Sequence, residues 1–452
     1  MNKKTISFAF AALFLLLSVL PVAAMLVLGE SGAAANETLS SPPELTGSDG
    51  RLNPAVLSET ADYIADHFAF RNKLINAWAE LNTMVFHTSP EEQVVLGSEG
   101  WLYYSSTLDD YMGRGMNETE LSRAVQNLAL IQEYAESCGA EFLFTIAPNK
   151  NSLYPAHMPS FIPPAHDKSN SVRIKPLLAS SGVHYCDLFS LLGGRGEVLY
   201  YQTDSHWTDR GAALAADALL KGFGMNTAYY AGDFSLPYQH KGDLYEMLFP
   251  AGERTEAAQA YSGFTYSVQE NPNGGNAMRI DASQDTADGR LVCWRDSFGI
   301  ALYPYLADSF SESLFFRSSS YDLTEIGSRQ ADHVLIELVE RNLDWLIRYV
   351  PIMPAPSREI DLDSAVPADQ TVLANSKADS KHELVYLSGE LPCYEGGAVY
   401  LLSADAAYEA LLTERDGKWF YHAYLSPEQS EGIHALCVKL DSAYIRFELH
   451  LN

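Results

Sequence analysis

Short apolar runs recur through the middle of the chain, and helical patterns such as 212–220 separate several of them. Strands of a parallel sheet show such runs because helices bury both of their faces. The pattern therefore predicts an α/β fold, with a doubly wound, mostly parallel sheet over roughly residues 90–350 and functional residues at the carboxyl ends of its strands. The runs are 142–147, 183–186, 291–294, 314–316 and 334–338.

The first 30 residues predict a membrane-directed segment. Lys3 and Lys4 precede an uncharged run over 5–29, which as a helix is long enough to cross a bilayer. Two interpretations stay open: a signal anchor, favoured by apolar residues 25–28, and a cleaved signal peptide, favoured by small residues 21–24. The lysines predict an extracytoplasmic body, anchored to the cell membrane or secreted after cleavage.

The remaining segments differ in composition and rhythm. Residues 31–53 are polar and turn-prone and predict a linker, after which 54–350 forms the α/β domain. A hairpin is expected within it at 94–104. A proline-rich, polar stretch over 351–380 predicts a second linker, and the two-residue periodicity of 381–452 predicts a small all-β, sandwich-like domain.

The last domain carries one strong turn signal and one aromatic cluster. Asp416 and Gly417 lie between two apolar runs and predict a hairpin. Trp419 and Tyr421 are expected on one face of a strand, either buried together or exposed as a carbohydrate-binding surface. The second alternative would make this a carbohydrate-binding domain.

Composition narrows the function classes. The 452 residues are 47% hydrophobic and 19% charged, which excludes a disordered chain and predicts several domains. A net charge of -28 argues against nucleic acid or an anionic lipid surface as a partner. The five cysteines lack C-x-x-C spacing, so neither a zinc site nor a disulfide framework is expected, and a Cys393–Cys437 pairing stays open.

Two stretches carry candidate catalytic residues, and the first lies at 203–208. Asp204 and His206 would share one side of an extended segment, where the carboxylate can orient the imidazole. Thr208 is expected to cap the helix that follows, fixing His206 on the preceding turn. A solvated loop or half of a metal site is the alternative for this motif.

The second stretch places Ser297 after the strand at 291–294 and before a helical pattern. Backbone N–H groups at a helix start can stabilise an oxyanion, although a serine there is also a common helix cap. Asp204, His206 and Ser297 would form a triad in the chain order Asp, His, Ser. Arg295 stands where a G-x-S-x-G elbow needs glycine, so an α/β-hydrolase is not favoured.

These motifs together resemble the alginate O-acetyltransferase branch (AlgX/AlgJ-like) of the SGNH hydrolase superfamily, and most closely the bacterial DHHW proteins. The resemblance covers about residues 60–350. One departure is visible: Ser205 replaces the first histidine of Asp-His-His-Trp, although alternation points it away from Asp204 and His206. The matching segments are 68–72, 97–103, 147–150 with 154–155, 203–208, 295–298 and 339–342.

The resemblance implies a cell-envelope, Ser-His-Asp-dependent O-acetyltransferase or acetylesterase acting on an exported polysaccharide. Ser297 is the implied nucleophile, His206 the base and Asp204 its orienting acid. A membrane O-acyltransferase that supplies acetyl groups is an open partner, and no cofactor is expected. The alternative is a non-catalytic SGNH-like envelope protein that binds or assembles polysaccharide.

Further residues are candidates for substrate or oxyanion binding, each with a structural alternative. Asn149 and Lys150 would stabilise the oxyanion or cap the strand end, and Arg295 would bind substrate or pair with Asp296 on the surface. Trp101 and Tyr103 would stack on sugars or pack internally. No metal is expected, because Asp204, His206 and Asp209 lack a second histidine nearby in the sequence.

Overall fold

The computed structural model describes residues 3–33, 37–47, 50–270, 278–362, 365–392, 394–440 and 443–451. Three helices form the N-terminal region, and the third continues as a π-helix over Asn82–Phe86. The segment Thr5–Leu28 is long and apolar enough to cross a membrane, and a signal sequence can meet the same criterion. The helices are α1 (Lys3–Leu28), α2 (Val56–His67) and α3 (Arg71–Leu81).

The predicted linker over 31–53 does not run free of the body. Ser40 Oγ donates to Asp66 at 2.5 Å, and Glu37 pairs with Arg71 at 2.5 Å. The prediction missed these contacts because single polar residues in a turn-prone stretch give no sign of a distant partner. The described part of this segment is therefore packed along α2 and α3.

The α/β domain begins with the predicted hairpin, which is confirmed: Val94 pairs with Tyr104 and Leu96 with Leu102. Its strands are β1 (Val94–Leu96), β2 (Leu102–Tyr104), β3 (Glu141–Ala147), β4 (Tyr185–Cys186), β5 (Leu236–His240), β6 (Glu256–Ala260), β7 (Ser267–Glu270), β8 (Arg279–Ser283), β9 (Arg290–Arg295), β10 (Glu312–Arg317) and β11 (His333–Val339). Its helices are α4 (Leu108–Tyr111), α5 (Glu118–Ser137), α6 (Lys150–Leu153), α7 (Asn170–Ser181), α8 (Leu188–Leu192), α9 (Asp209–Gly222), α10 (Asp243–Leu248), α11 (Gly299–Ala307), α12 (Thr324–Arg329) and α13 (Trp345–Arg348).

Seven of these strands form the central sheet in the order β4-β3-β11-β9-β10-β8-β7. The first five pair in parallel, and β8 and β7 add antiparallel pairs at one edge. Each of the five parallel strands lies on one of the apolar runs. Their carboxyl ends share one edge of the sheet, so residues that follow β3, β9 and β11 are brought together.

Helices cover both faces of this sheet. Along β3, Phe142 and Phe144 contribute to one apolar core, whereas Leu143 and Ala147 contribute to the other. The first core includes residues of α5 and α7, and the second includes residues of α9 and α11. Burial on both faces explains why the strands are apolar throughout rather than alternating.

The C-terminal domain is a nine-stranded sheet in the order β12-β16-β15-β19-β20-β13-β14-β18-β17. The long strand β13 pairs with β20 through its first part and with β14 through its last part. Both halves of the sheet enclose one apolar core. The elements are β12 (Ser357–Arg358), β13 (Val366–Asp379), β14 (Leu384–Glu390), β15 (Val399–Leu402), β16 (Ala407–Glu409), β17 (Leu411–Arg415), β18 (Lys418–Leu425), α14 (Pro427–Glu431), β19 (Ala435–Leu440) and β20 (Ala443–Leu451).

One turn prediction in this domain is confirmed and one linker prediction is corrected. Asp416 and Gly417 connect β17 to β18 with φ values of 53° and 78°, the left-handed conformation that such a hairpin requires. The stretch 351–380 contains β12 and β13 instead of a linker. Most side chains of β13 are exposed, so its sequence lacks the apolar pattern of a strand.

The two domains contact each other through α5. The buried Asn127 amide donates to the Leu346 carbonyl and to the Leu412 carbonyl, each at 2.8 Å. The buried Arg123 guanidinium donates to the Tyr394 hydroxyl. Cys393 lies outside the described residues, so its pairing with Cys437 stays open.

Candidate active site

The three residues of the predicted triad lie at one edge of the sheet. Ser297 follows β9 and precedes α11. Asp204 and His206 lie on the turn before α9, whose cap Thr208 accepts a hydrogen bond from the Gly211 N–H at 3.2 Å. The cap prediction is confirmed, and it fixes the turn on which His206 stands.

The side chains make a continuous chain of hydrogen bonds. His206 Nδ1 lies 2.7 Å from Asp204 Oδ1, and His206 Nε2 lies 2.9 Å from Ser297 Oγ. Because an ionised carboxylate only accepts, Nδ1 carries the proton and Nε2 accepts from the serine hydroxyl. This is the arrangement of a nucleophile, a base and an orienting acid.

Asp204 is buried and receives four hydrogen bonds. Its Oδ1 accepts from the backbone and the ring of His206, at 2.8 Å and 2.7 Å. Its Oδ2 accepts from the His240 ring and from the Asp243 N–H, each at 2.9 Å. The carboxylate is thus held on both oxygens, which fixes the orientation of the imidazole.

The charges around His206 favour its protonated form. Burial by itself lowers the pKa of His206, but the carboxylates of Asp204 and Asp243 outweigh it and the net pKa is raised. Burial by itself raises the pKa of Asp204, but His206 and His240 outweigh it and hold the pKa well below its usual range. His206 is therefore tuned as a stronger base than free imidazole.

A second aspartate fixes the turn that carries the serine. Asp296 is buried, and its Oδ1 accepts from the Phe298 N–H at 2.9 Å while Oδ2 accepts from the Val339 N–H at 2.7 Å. The Asn342 amide also donates to Oδ2, at 2.8 Å. Asp296 therefore joins the Ser297 turn to the end of β11.

Arg295 forms no surface ion pair with Asp296, contrary to that alternative, because both residues are buried. Its guanidinium donates to the Asp296 carbonyl at 2.9 Å. The aliphatic part of the side chain lies against Gly299, where an added Cβ would come within 2.5 Å of Arg295 Cβ. Arg295 is thus packed within the turn that carries Ser297, and its role in substrate binding stays a prediction.

Lys150 contacts the backbone of the loop that carries Asp204. Its buried ammonium donates to the carbonyls of Tyr201, Gln202 and Asp204, at 3.2, 3.1 and 2.5 Å. Burial lowers the pKa of Lys150 to about 8, despite the nearby carboxylates. These contacts brace the loop that carries Asp204, so the structure does not place Lys150 as an oxyanion donor.

Asn149 lies at the end of β3, one strand beyond β11. Its backbone N–H donates to Glu340 Oε2 at 3.0 Å, and its side chain is buried. Glu340 also accepts from Ser152 Oγ at 2.6 Å. Asn149 therefore shares the edge of the sheet with Ser297, with the β11 end between them.

The aromatic candidates are packed internally. Trp101 is 3% exposed and stacks on His157 with ring centroids 4.5 Å apart. Tyr103 is 1% exposed and donates to the Tyr154 carbonyl at 2.6 Å. Neither side chain offers a face to a sugar, so the packing alternative holds for both.

The aromatic pair of the C-terminal domain is also packed. Tyr421 is fully buried, and Trp419 is partly buried against Tyr394 with ring centroids 4.9 Å apart. The two residues do not form an exposed carbohydrate-binding surface. The role of the C-terminal domain stays a prediction.

The three residues of the alternative metal site, Asp204, His206 and Asp209, do not come together. Asp209 accepts from the hydroxyls of Tyr201 and Tyr238, at 2.9 Å and 2.5 Å, instead of facing His206. Asp204, His206 and Asp243 do offer ligand atoms within 4.8 Å of one another. These atoms are engaged in the hydrogen bonds of the triad, which a metal ion would have to displace.

His240 and Asp243 also contact Asp204, although no motif in the sequence pointed to them. His240 stacks on Tyr201 with centroids 3.9 Å apart, and Asp243 accepts from Ser205 through N–H and Oγ at 2.7 Å and 2.6 Å. Gly242 allows this approach, since an added Cβ would collide with the Thr203 carbonyl. The Gly-Asp pair at 242–243 was the one local signal of a tight helix start.

Ser205, the departure from Asp-His-His-Trp, also contacts the triad. Its hydroxyl lies 3.2 Å from His206 Nδ1 and donates to Asp243, which lies 3.6 Å from the same nitrogen. The expectation that Ser205 points away from His206 is therefore wrong, because the segment turns at this point. Ser205 links Asp243 to the imidazole.

Arg341 was also missed as a neighbour of the site. Its guanidinium lies over the rings of Phe298 and Tyr104, with 5.4 Å to each centroid. The positive charge lowers the pKa of His206, opposing the carboxylates. Arg341 also lines a polar cleft of about 330 Å³ together with Asp110 and Asp344.

Residues 94–279 match the family model of an SGNH hydrolase-like domain, acetyltransferase AlgX. The matched segment, less than half of the chain, is similar to an SGNH hydrolase-like domain of the AlgX type. A probable alginate O-acetylase AlgJ of Pseudomonas syringae pv. tomato is 30% identical over 201 residues, which are 43% of this chain and 48% of that protein. The chain thus spans about half the length of this relative.

Two solved structures are similar to the domain. Bacillus cereus PatB1 with a sulfonyl adduct matches with a TM-score of 0.44 and 17% identity, over 57% of this chain and 96% of that one. A DHHW family protein from Eubacterium siraeum matches with a TM-score of 0.41 and 16% identity, over 57% of this chain and 99% of that one.

Proposed function

We propose that this protein belongs to the AlgX type and transfers or removes acetyl groups on an exported polysaccharide, with Ser297 as the nucleophile. The observation that carries the proposal is the 2.9 Å contact between Ser297 Oγ and His206 Nε2. Asp204 orients this imidazole through its other nitrogen. The names of the relatives, probable alginate O-acetylases, support the class of reaction. The acceptor and the donor are parts of the proposal.

The first half-reaction forms an acetyl-enzyme. His206 Nε2 takes the Ser297 hydroxyl proton as Oγ bonds to the acetyl carbonyl carbon of the donor. The tetrahedral intermediate then expels the donor oxygen, which receives the proton from His206. Asp204 stays ionised and stabilises the imidazolium. The products are the deacetylated donor and an ester on Ser297.

The second half-reaction uses the same groups in reverse. A sugar hydroxyl loses its proton to His206 and attacks the acetyl carbon, and Ser297 Oγ leaves with the proton that His206 returns. A water molecule in place of the sugar gives acetate and makes the protein an esterase. The ratio of transfer to a sugar over hydrolysis by water depends on how well the site excludes water.

The Ser297 N–H and the Asn149 side chain are the proposed oxyanion donors. The Phe298 N–H is engaged by Asp296, which leaves it unsuited to this role. A second donor from the end of β3 would complete the hole, as two donors are usual for a tetrahedral intermediate. A membrane O-acyltransferase is the proposed source of acetyl groups.

The test uses the full chain in detergent, as wild type, Ser297→Ala and the control Ser309→Ala. Ser309 Oγ donates to the Tyr305 carbonyl at the end of α11 and lies outside the triad. We expect Ser297→Ala to lose roughly 10⁴ to 10⁶ of the hydrolysis of a chromogenic acetyl ester, and Ser309→Ala to retain it. Equal rates in Ser297→Ala and wild type would contradict the proposal.

The reaction class is tested by adding deacetylated alginate or a neutral glucan to the wild-type assay. Acetyl groups on the polymer would establish transfer, and free acetate alone would establish hydrolysis. A chelator should leave the rate unchanged, because the proposed chemistry uses no metal. A wild type that neither turns over the ester nor forms an acetyl-enzyme would favour the non-catalytic alternative.

A further inference from the structure

One helix of the N-terminal region exposes a row of large apolar side chains. Leu74, Trp78, Leu81 and Val85 follow a 4-3-4 spacing along α3 and the π-helix, which places them on one face. They are 55%, 56%, 47% and 58% exposed. We name these four residues the apolar stripe. Single exposed apolar residues are ordinary, but a contiguous row marks an interaction surface.

The opposite side of α3 is packed on the α/β domain. Ala79 is fully buried in a small core with Leu244 and Leu248 of α10. The Asn76 amide oxygen accepts from the Ala251 N–H at 2.8 Å. The helix is therefore held in place, and the apolar stripe faces away from the body as a fixed surface.

The residues that follow α1 are bonded to this same region. Tyr63 donates to Glu30 at 2.6 Å, and the Ser31 N–H donates to the His67 carbonyl at 3.1 Å. The Asn72 amide donates to the Gly32 carbonyl at 2.9 Å. The first turn of α3 thus contacts a residue only four positions beyond the end of α1 at Leu28.

This continuity indicates what covers the stripe. If α1 spans a bilayer, four residues of chain reach at most about 14 Å beyond its end, so the start of α3 lies at the membrane interface. A tryptophan flanked by leucines is the composition that interfacial helices use. Because the chain has a net charge of -28, the attraction would be apolar and not electrostatic.

We propose that α3 and the π-helix lie along the bilayer surface, with the apolar stripe inserted among zwitterionic lipids. The inference goes beyond catalysis and requires that α1 is retained. It also has a consequence for the active site. The backbone N–H of Asp243, the first residue of α10, donates to Asp204 Oδ2, so the helix packed on α3 also holds the Asp204 carboxylate. Membrane contact would fix the height of the triad above the lipid.

The test reconstitutes the full chain in phosphatidylcholine vesicles with brominated acyl chains and measures tryptophan fluorescence. We expect a quenched component in the wild type that is missing in Trp78→Phe. The matched control is Trp78→Phe with Leu373→Trp, which places a tryptophan at a 58% exposed position of β13, and this tryptophan should stay unquenched. Intact mass and ester hydrolysis confirm that α1 is present and that the variants are folded.

An unquenched Trp78 in folded, membrane-inserted protein would overturn the proposal. The alternative occupants give other signals. A second copy would bury Trp78 without quenching and would allow Trp78→Cys chains to form disulfide-linked dimers. A quenched control tryptophan would show nonspecific insertion and would equally contradict a specific membrane face.

Discussion

His206 in the α/β domain and His422 in the C-terminal domain each have hydrogen-bond partners on both ring nitrogens, yet their environments differ. His206 lies between the Asp204 carboxylate and the Ser297 hydroxyl. His422 lies between the Tyr386 and Thr413 hydroxyls, at 2.6 Å and 2.7 Å. Carboxylates outweigh burial and raise the pKa of His206, whereas burial alone lowers the pKa of His422 to about 4. The neighbouring carboxylates therefore decide whether the pKa of such a buried histidine is raised or lowered.

The largest effect is expected from His206→Ala. Removing the base should lower kcat for acetyl ester hydrolysis by roughly 10⁴ to 10⁶, because serine and histidine of a triad act as a unit. Stopped-time assays beside thermal unfolding would separate lost chemistry from lost folding. A folded variant with more than a hundredth of the wild-type rate would contradict the assignment of the base.

Asp204→Asn should follow, with a fall in kcat of roughly 10⁴. An amide can donate to Nδ1 and so favour the wrong tautomer of His206. It would also face the donors His240 and Asp243 N–H without a charge. Full kinetics on the purified variant provide the measurement, and a loss confined to KM would argue against an orienting role.

His240→Ala should have an intermediate effect. A hydrogen bond to a charged group contributes about 1.5 to 3 kcal/mol, and an orienting contact passes part of this to the transition state, so kcat should fall by about tenfold. His240→Gln keeps a donor and should recover part of the rate. Equal losses in both variants would show that packing on Tyr201, rather than the bond to Asp204, matters.

Two charge variants should move the pH profile in opposite directions. Asp243 raises and Arg341 lowers the pKa of His206. Since the base must be neutral, Asp243→Asn should shift the acidic limb of kcat/KM to lower pH, and Arg341→Gln should shift it to higher pH. Profiles with a small ester test this prediction, and shifts in the same direction would contradict the electrostatic account.

The smallest effect on activity is expected from His422→Gln, which should leave the ester rate unchanged. In the wild type, burial keeps His422 neutral down to about pH 4, whereas the unfolded chain takes up a proton near pH 6.5. The contribution of neutral His422 to the free energy of unfolding should thus be complete above pH 6.5. It should fall by roughly 3 kcal/mol toward pH 4. Denaturant unfolding at several pH values should show a smaller fall in the variant, and an identical one would refute the prediction.

The sequence predicted those parts of the fold and site that depend on local pattern. The five parallel strands follow from apolar runs that both faces of the sheet require. The turn that carries His206 was predicted from the capping residue Thr208. The position of Ser297 was predicted from the junction between a strand and a helix. The contact between His206 and Ser297 was expected because functional residues gather at the carboxyl ends of parallel strands and because the family resemblance implies a triad.

The rest depends on contacts between distant segments. Strand β13 has mostly exposed side chains, so no periodicity distinguishes it from a linker. His240 reaches Asp204 from a hairpin whose short strand β5 is largely exposed. Lys150 was placed at the correct strand end, but the direction of its side chain is set by the carbonyls of Tyr201 and Gln202, in a loop that is distant in the sequence.

Covalent labelling tests the central claim most directly. The full chain would be treated with a serine-reactive phosphonate, and the adduct would be located by peptide mapping in wild type, His206→Ala and His422→Gln. The account predicts a single adduct on Ser297 that is lost in His206→Ala and kept in His422→Gln. An adduct on another serine, or undiminished labelling of Ser297 in folded His206→Ala, would contradict it.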